Sequence, residues 1–300
     1  MAFLPTCRFI SQVSGLFSPP SSPGSGLATT DFPAQCESEP ADVYEVLLSI
    51  VLPAYNEELR IGRTLDEVAK YSRSSAHDVE VIVVDDGSSD ALADVAREYS
   101  DKIAGLQVIQ HETNRGKGRA VATGMLAATG IYRAFLDADG ATPVGEIDKL
   151  LEIAEKHPLV IPIGSIRASG TKVGRRQPLL RTLAGRAGNT VIRSLVLPGV
   201  ADSQRGCKLF PGAIVDAVFG AQQVDGWAFD IEILALCQRL GYEIREVPVR
   251  WDHIDGGQVR VGSYVSTLGE VLRIRRLLRS GAHRLVPISK RPVALHRQHA

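Results

Sequence analysis

Cysteine is scarce in this sequence: four residues, Cys7, Cys36, Cys207 and Cys237, among 300. They show no CxxC spacing and no histidine-rich neighbourhood, so neither a zinc site nor a disulfide framework is supported. A reducing compartment is the default expectation. Aromatic residues are also few, at 6%. No stretch approaches the roughly 18 consecutive apolar residues of a membrane-spanning helix. The opening MAFLPTCRFISQVSGLF carries one base, Arg8, and breaks its apolar run early, which makes a poor secretory signal. A chain that is soluble or rests on a membrane surface is expected. No GxGxxG follows the first apolar run, which argues against a dinucleotide dehydrogenase. NRGKGRA (114–120) lacks the GxxxxGK[ST] spacing of a Walker loop. Formal net charge is zero, so overall charge points to no partner, and no nucleic acid is expected.

The charges that are present are unevenly distributed. Residues 1–45 hold five acids and one base, whereas 164–201 hold seven bases and no acid, and 271–300 hold eight bases and no acid. Such asymmetry suggests an anionic partner for part of the surface. The Pro-, Ser- and Gly-rich stretch 18–42 reads as a flexible tail. Apolar content of 44% suffices for a substantial core. From 44 onward, near-continuous apolar runs alternate with helix-period segments: YEVLLSIVLPA, ELRIGRTLDEVAKYSRS, VEVIVVDD, SDALADVAREYSD, LQVIQHE, GKGRAVATGMLAAT, YRAFLDADG. The pattern predicts an α/β fold, an open and mostly parallel sheet with helices on both faces in a single catalytic domain. Expected boundaries are a disordered tail over 1–45, the domain over 46–265, and an amphipathic basic helix with the C-terminal tail over 266–300. Ser89 or Asp90 is the expected cap of the helix that follows the second strand.

In open sheets ligands bind beyond the carboxyl ends of the strands. Three strands here end in acids: PAYNEE, DDGSSD and DADGATP. Asp137 and Asp139 are two apart on an extended segment and therefore point the same way. Two carboxylates in one cleft call for a cation, and an oxygen-only donor pair suits Mg²⁺ or Mn²⁺ shared with a nucleotide diphosphate. The alternative is a solvated turn, because Asp and Gly favour turns. Asp85, next to Asp86, can accept a hydrogen bond from a ribose or a pyrimidine N–H, or can serve the next helix as a cap. Tyr55 can pack on a base and Glu57 can bond a ribose, or both belong to an ordinary strand-to-helix turn. Lys117 and the glycines of NRGKGRA open a helix whose N-terminus favours an anion, or form a plain basic turn.

Taken together, IVLPAYNEE, VIVVDDGSSD, NRGKGRAVATG and FLDADGATP resemble, in order and spacing, the inverting family 2 glycosyltransferases of the GT-A fold. The match spans about 48–143. VLPGVADSQRGCKLF, GWAFDIEIL and EVPVRWDHIDGGQVR extend it to about 280. These stretches are similar to the dolichyl-phosphate (polyprenyl-phosphate) glucosyltransferase branch, whose pattern runs DTQCGFKLF, WAFDVELL and a Trp-x-x-x-x-Gly-Ser-Lys end. The resemblance implies that Pro53, Tyr55, Glu57, Asp85, Asp86 and Lys117 hold the nucleotide and that Asp137 and Asp139 hold the metal and its diphosphate. Arg167 and Arg181 match arginines that bind the acceptor phosphate in related mannosyltransferases. Gln204, Lys208, Trp227 and Asp230 fall in the sugar and acceptor region. Asp230 is the candidate general base, unless it and Glu232 cap their helix. Cys207 replaces the usual Phe, Arg205 stands where Cys is common, and Gly257 and Gln258 stand where Ser-Lys is frequent, which removes a cation near the expected acceptor phosphate. Ala141, usual in the glucosyl branch, cannot be a side-chain metal ligand.

The implied reaction is inverting transfer of a hexose, glucose from UDP-glucose, to a polyprenyl or dolichyl phosphate, with Mg²⁺ or Mn²⁺ as cofactor. The alternatives are mannose from GDP-mannose, galactose or an N-acetylhexosamine, a sugar nucleotidyltransferase, and a sugar-nucleotide binder without catalysis. A lipid acceptor implies a peripheral protein on the cytoplasmic face of a membrane. Docking would use the basic middle segment and the 268–280 helix, with Val271, Ile274, Leu277 and Leu278 on one face. That face can instead pack on the domain, or a membrane protein can recruit the chain.

Overall fold

A computed structural model describes residues 46–168, 171, 192–252, 254 and 261–285, with side chains from Ser266 onward in the last stretch. Seven strands form one sheet: β1 (Leu48–Ala54), β2 (Val79–Asp85), β3 (Leu106–Gln110), β4 (Tyr132–Leu136), β5 (Val160–Ser165), β6 (Cys207–Pro211) and β7 (Glu243–Pro248). Their order is β3-β2-β1-β4-β6-β5-β7. β1 runs parallel to β2 and β4, β2 to β3, and β5 to β7. β6 is antiparallel to both β4 and β5. The sheet is thus mostly parallel, as the alternation of segments predicts.

The central strands read as mostly apolar because both faces are covered, and β1, β2, β5 and β6 are buried along their whole length. Val51, Ile82 and Val84 point into a cluster with residues of α3 (Lys117–Ala127), α5 (Gly212–Phe219), α6 (Phe229–Arg239) and α7 (Val261–Ser280). Ile50, Leu52, Val81 and Val83 point into the opposite cluster, with α1 (Glu58–Ser74), α2 (Leu92–Arg97) and α4 (Ile147–Lys156). Alternate residues of one strand therefore feed two cores. Pro53 sits in β1 opposite Val84 of β2, beyond Val51, where the ladder to β4 ends. Its missing N–H costs no hydrogen bond on the β4 side.

Because β6 runs against its neighbours, Cys207 at its start lies opposite Leu136 at the end of β4. The carboxyl ends of β2, β1, β4, β5 and β7 and the start of β6 therefore share one rim. Much of the basic stretch 164–201 lies outside the described residues. Within α7, Val271 and Ile274 are buried in the first cluster and Leu278 packs against it. The apolar face of this helix thus faces the domain. Each fully buried aliphatic side chain is worth about 1.5–3 kcal/mol, which fixes the helix in that orientation. Leu268 and Leu272 remain exposed on its outer side.

Candidate active site

The turns after β1 and β2 are tied to each other. Asn56 adopts a left-handed φ of 52°, which Asn tolerates better than most residues. Its N–H donates to Ser88 Oγ (2.9 Å), and its Oδ1 accepts the Ser89 N–H (2.9 Å). Asp90 accepts from Glu58 N–H (3.0 Å) and Leu92 N–H (3.2 Å), while Glu58 accepts from Ala91 N–H (2.8 Å). Asp90 thus serves the start of α1 as well as its own helix. Tyr55 is half-buried beside this clasp.

Asp85 and Asp86, both buried, are committed to the loops around them. Asp85 accepts Ser88 N–H (2.9 Å) and the Gln110 amide (3.0 Å). A nucleotide contact by Asp85 would replace that amide. Asp86 accepts Arg115 N–H (3.0 Å) and Gly116 N–H (2.8 Å), and lies 2.8 Å from His111 Nδ1. Gly118 and Arg119 donate to the Asp225 carbonyl at 2.8 and 3.4 Å. Of the backbone donors at the start of α3, those of Arg115 and Gly116 are taken by Asp86 and those of Gly118 and Arg119 by Asp225. The glycines have a different job: a Cβ at Gly116, where φ is +99°, would sit 2.5 Å from the Asp225 carbonyl oxygen.

At the tip of β4, Asp137 and Asp139 share the cleft with Glu57, Lys117 and Lys208. Lys117 Nζ lies 2.5 Å from Asp137 Oδ1 and 5.5 Å from the centre of the Trp227 ring. Asp139 accepts Ala141 N–H (2.9 Å). Burial raises the proton affinity of Asp137, but Lys117, then Lys208 and Arg205, outweigh it and hold the carboxyl below its ordinary range. Asp139 goes the other way: burial and the adjacent Asp137 charge raise it, against weaker opposition from the Ala141 N–H, Lys117 and Arg60. Glu57 is likewise raised, first by burial and then by Asp139 and Asp90, although Arg60 opposes. Carboxylates crowded until two of them resist ionisation are what a divalent cation relieves. Among the described residues no group of three or more His, Cys, Asp or Glu side chains gathers as a cage. The donors fit Mg²⁺ or Mn²⁺, which take one or two carboxylates and fill the remaining positions with phosphate oxygens and water.

Beyond β4 the rim turns basic. Lys208 is fully buried on β6, 2.8 Å from Asp230 Oδ1, hydrogen-bonded to the Arg205 carbonyl and 5.1 Å from the centre of the Phe135 ring. Asp230 caps nothing: the start of α6 has no side-chain cap. The Ala228 N–H there is taken by Glu270 of α7 (2.9 Å). Glu232 does not cap either. It accepts Gln223 and Val224 N–H (3.0 and 2.8 Å) and meets His283 Nε2 at 2.7 Å. Gln204 is exposed and reaches the Trp227 carbonyl (3.5 Å). Arg167 is exposed just after β5. Arg181, Gly257 and Gln258 lie outside the described residues.

Several residues that shape the site carry no signal in the sequence. The Gly206 carbonyl accepts Asp137 N–H (2.9 Å), and a Cβ at Gly206 would sit 2.0 Å from the Asp137 carboxyl carbon. Thr64 of α1 donates to the Ala138 carbonyl (2.8 Å) and so holds the segment between the two aspartates. Glu270 holds the loop that carries Trp227. Each pairing joins residues far apart in the chain, which local spacing cannot reveal. A glycine beside the DSQR segment is the one hint that could have been read.

The profile of Glycosyl transferase family 2 matches residues 49–219. Among curated proteins, the chain is 33% identical over 257 residues to the dolichyl-phosphate beta-glucosyltransferase of Dictyostelium discoideum, covering 81% of this chain and 78% of that one. It is 36% identical over 250 residues to the Drosophila melanogaster protein of that name (78% and 74%), and 34% identical over 251 residues to the human one (79% and 78%). Among solved structures, glucosyl-3-phosphoglycerate synthase from Mycobacterium tuberculosis, in complex with Mn²⁺, UDP and glucosyl-3-phosphoglycerate, superposes with a TM-score of 0.58 at 20% identity (78% of this chain, 80% of that one). Mannosyl-3-phosphoglycerate synthase from Rubrobacter xylanophilus does so at 0.60 and 17% identity (80% and 77%). These structures share the GT-A fold with the sheet described above. Motif order, fold and identity over four-fifths of its length agree: the chain belongs to glycosyl transferase family 2, in the branch of the dolichyl-phosphate beta-glucosyltransferases.

Proposed function

We propose that the protein transfers glucose from UDP-glucose to a dolichyl or polyprenyl phosphate, with inversion at the anomeric carbon. The observation that carries this reading is the Asp137–Asp139 pair at the tip of the central strand, with Asp137 against Lys117 at 2.5 Å and Asp139 raised by burial and by Asp137. It lies between a rim of turns on one side and a rim of cations on the other. A Mg²⁺ or Mn²⁺ held by Asp137 and Asp139 would stabilise the charge that develops on the departing diphosphate. Lys117 adds a second positive charge there and keeps Asp137 ionised. Tyr55, Pro53 and Glu57 border the nucleotide side, with Asp85 and Asp86 shaping the loops behind them. Gln204 and Trp227 flank the opening toward the sugar. A phosphate monoester has a second pKa of about 6 and is largely dianionic at neutral pH, so the acceptor needs no strong base. Asp230, ion-paired to buried Lys208, then serves to balance that cation and fix its position. Arg167 and Arg181 would orient the acceptor phosphate through paired N–H donors.

A lipid acceptor has to be reached at a bilayer. Among the described residues no helix is long and apolar enough to cross one. α7 presents Leu268, Leu272, Arg276 and Arg279 outward at helical spacing, a face suited to an anionic surface. We place the protein there, on the cytoplasmic side, in keeping with its few cysteines. The test offers the purified protein a short polyprenyl phosphate with UDP-glucose, UDP-galactose and GDP-mannose in turn, with Mn²⁺ and with chelator. Metal-dependent product from UDP-glucose alone is expected. Equal turnover of GDP-mannose, or activity that survives chelation, overturns the assignment.

A further inference from the structure

Arg205 is placed as a ligand-binding group. It precedes Gly206, whose carbonyl receives the Asp137 N–H (2.9 Å), so it stands one residue from the aspartate pair. Its guanidinium lies over the indole of Trp251, 4.7 Å from the ring centre. Nε is 3.4 Å from Asp202 Oδ2, and that oxygen already accepts the Ile166 N–H at 3.0 Å. No other polar contact engages the guanidinium among the described residues. The side chain is 25% exposed, so it is partly open to solvent while Trp251 beneath it is buried.

A guanidinium over an indole is held there by cation–π attraction. Its terminal N–H groups then project from the edge in the fork that matches two oxygens of a phosphate. One long contact with a carboxylate that is already shared neutralises it poorly. Position decides which phosphate. The tips of β1 and β2, with Tyr55 and Asp85, lie on one side of β4 in the sheet order. β6 and β5 lie on the other side, and Arg205 leads into β6 as Arg167 leaves β5. Asp202 joins the two, because it pairs with Arg205 and holds the N–H next to Arg167. The influence of Arg205 on Asp137 agrees with a place at this seam.

We propose that Arg205, held over Trp251, binds the phosphate monoester of the acceptor, on the opposite side of Asp137 and Asp139 from the nucleotide. The inference rests on the phosphorylated acceptor of the proposed function. It assigns that phosphate a cation the sequence resemblance does not supply, where Gly257 and Gln258 take the place of Ser-Lys.

The test is calorimetric titration of the full chain, wild type and Arg205→Ala, with farnesyl phosphate, with farnesol, and with UDP plus Mn²⁺. Wild type should bind farnesyl phosphate and discriminate against farnesol. Arg205→Ala should lose at least tenfold in farnesyl phosphate affinity and keep UDP affinity within twofold. Arg205→Lys, which retains charge without the planar fork, should fall between the two and guards against a folding defect in the alanine variant, as does an unchanged melting temperature. Unchanged farnesyl phosphate affinity in Arg205→Ala overturns the proposal, and so does a loss confined to UDP, which would give the cation to the donor. Wild type that binds farnesyl phosphate but transfers no glucose would sink the proposed reaction and leave the role of Arg205 to be read from the titration. Wild type that ignores farnesyl phosphate sinks both.

Discussion

The rim of the sheet has two unlike halves. On the β1–β2 side the acids are spent on the fold: Asp85, Asp86, Asp90 and Glu58 each accept backbone N–H groups from neighbouring turns. On the β6–β5 side the acids are counter-ions: Asp230 faces Lys208, and Asp202 faces Arg205. At the seam the carboxylates crowd one another: burial and the neighbouring acids raise Asp139 and Glu57, beside Asp137, which Lys117 holds ionised. An acid at a strand tip is therefore not by itself a ligand group. What marks the working pair is an ionised Asp137 pressed against an Asp139 that resists ionisation.

The sharpest way to break this comparison is Asp139→Asn. Turnover should fall about 10²–10³-fold, the scale on which a single stabilising group at developing charge acts. Stability should move the opposite way. The folded-state pKa of Asp139 is raised, so its ionised form costs stability above that pKa, and the cost is relieved as pH falls through it. With chelator present, the Asn variant should melt higher than wild type near pH 8, by roughly 2–4 °C for each kcal/mol recovered. The gain should shrink as the pH is lowered. Asp137 has the opposite sign: its depressed pKa contributes stability above the unfolded value, which is lost as pH falls through the folded one. Asp137→Asn should therefore melt lower at pH 8. Thermal scans from pH 4 to 8 check both, and a lower melting point for Asp139→Asn would refute the crowding.

Asp86→Ala tests the other half. Removing the carboxylate takes the acceptor from the part-buried Arg115 and Gly116 N–H groups, and a hydrogen bond to a charged group is worth about 1.5–3 kcal/mol. Urea denaturation should show a loss of about 3 kcal/mol, with UDP affinity of the remaining folded protein nearly unchanged. A large, selective loss of UDP binding without loss of stability would make Asp86 a nucleotide ligand.

How much of this was legible in the sequence follows from what each feature depends on. Strands β1 and β2 were readable because the two cores demand apolar side chains on both faces, leaving Ser49, Glu80 and Asp85 as their only polar positions. Asp137 and Asp139 were readable because a two-residue spacing on an extended segment is local. The roles of Asp86 and Asp90 were not, because their partners lie 25–32 residues away on turns that only the parallel pairing brings together. For α7 the periodicity gave the apolar face but not what it faces: Val271 and Ile274 meet the domain, and the outer side is left to Leu268 and Leu272. The paired lysine and acid at Lys208 and Asp230 were visible as residue types. That they neutralise each other depends on α6 packing behind β6.

Gly206→Ala probes the seam more gently. Its Cβ would fall 2.0 Å from the Asp137 carboxyl carbon, so the carboxylate must swing aside while the backbone hydrogen bond can persist. Groups that orient a metal ligand typically matter about 10–100-fold. Mn²⁺ dependence of turnover should shift to roughly tenfold higher concentration, with little change in melting temperature. Unchanged Mn²⁺ dependence would mean that Asp137 works from another rotamer.

The smallest effect expected comes from Glu270, and it separates the two halves most cleanly. Glu270 Oε2 accepts the Ala228 N–H (2.9 Å), and its other oxygen lies against Gly226, where a Cβ would come within 2.0 Å. One residue of the C-terminal helix thus fixes the segment that carries Trp227 and leads to Asp230, while α1, α2 and the turns of β1 and β2 lie in the opposite layer. A typical hydrogen bond contributes about 0.5–1.5 kcal/mol net, so Glu270→Ala should lower the melting temperature by only a few degrees. UDP binding should be retained, while the KM for the lipid phosphate should rise several-fold. Glu270→Gln keeps an acceptor for the same N–H and should restore most of both. Equal weakening of UDP and lipid phosphate would show that the loop serves donor and acceptor alike, and the division of the rim would then stop short of Trp227.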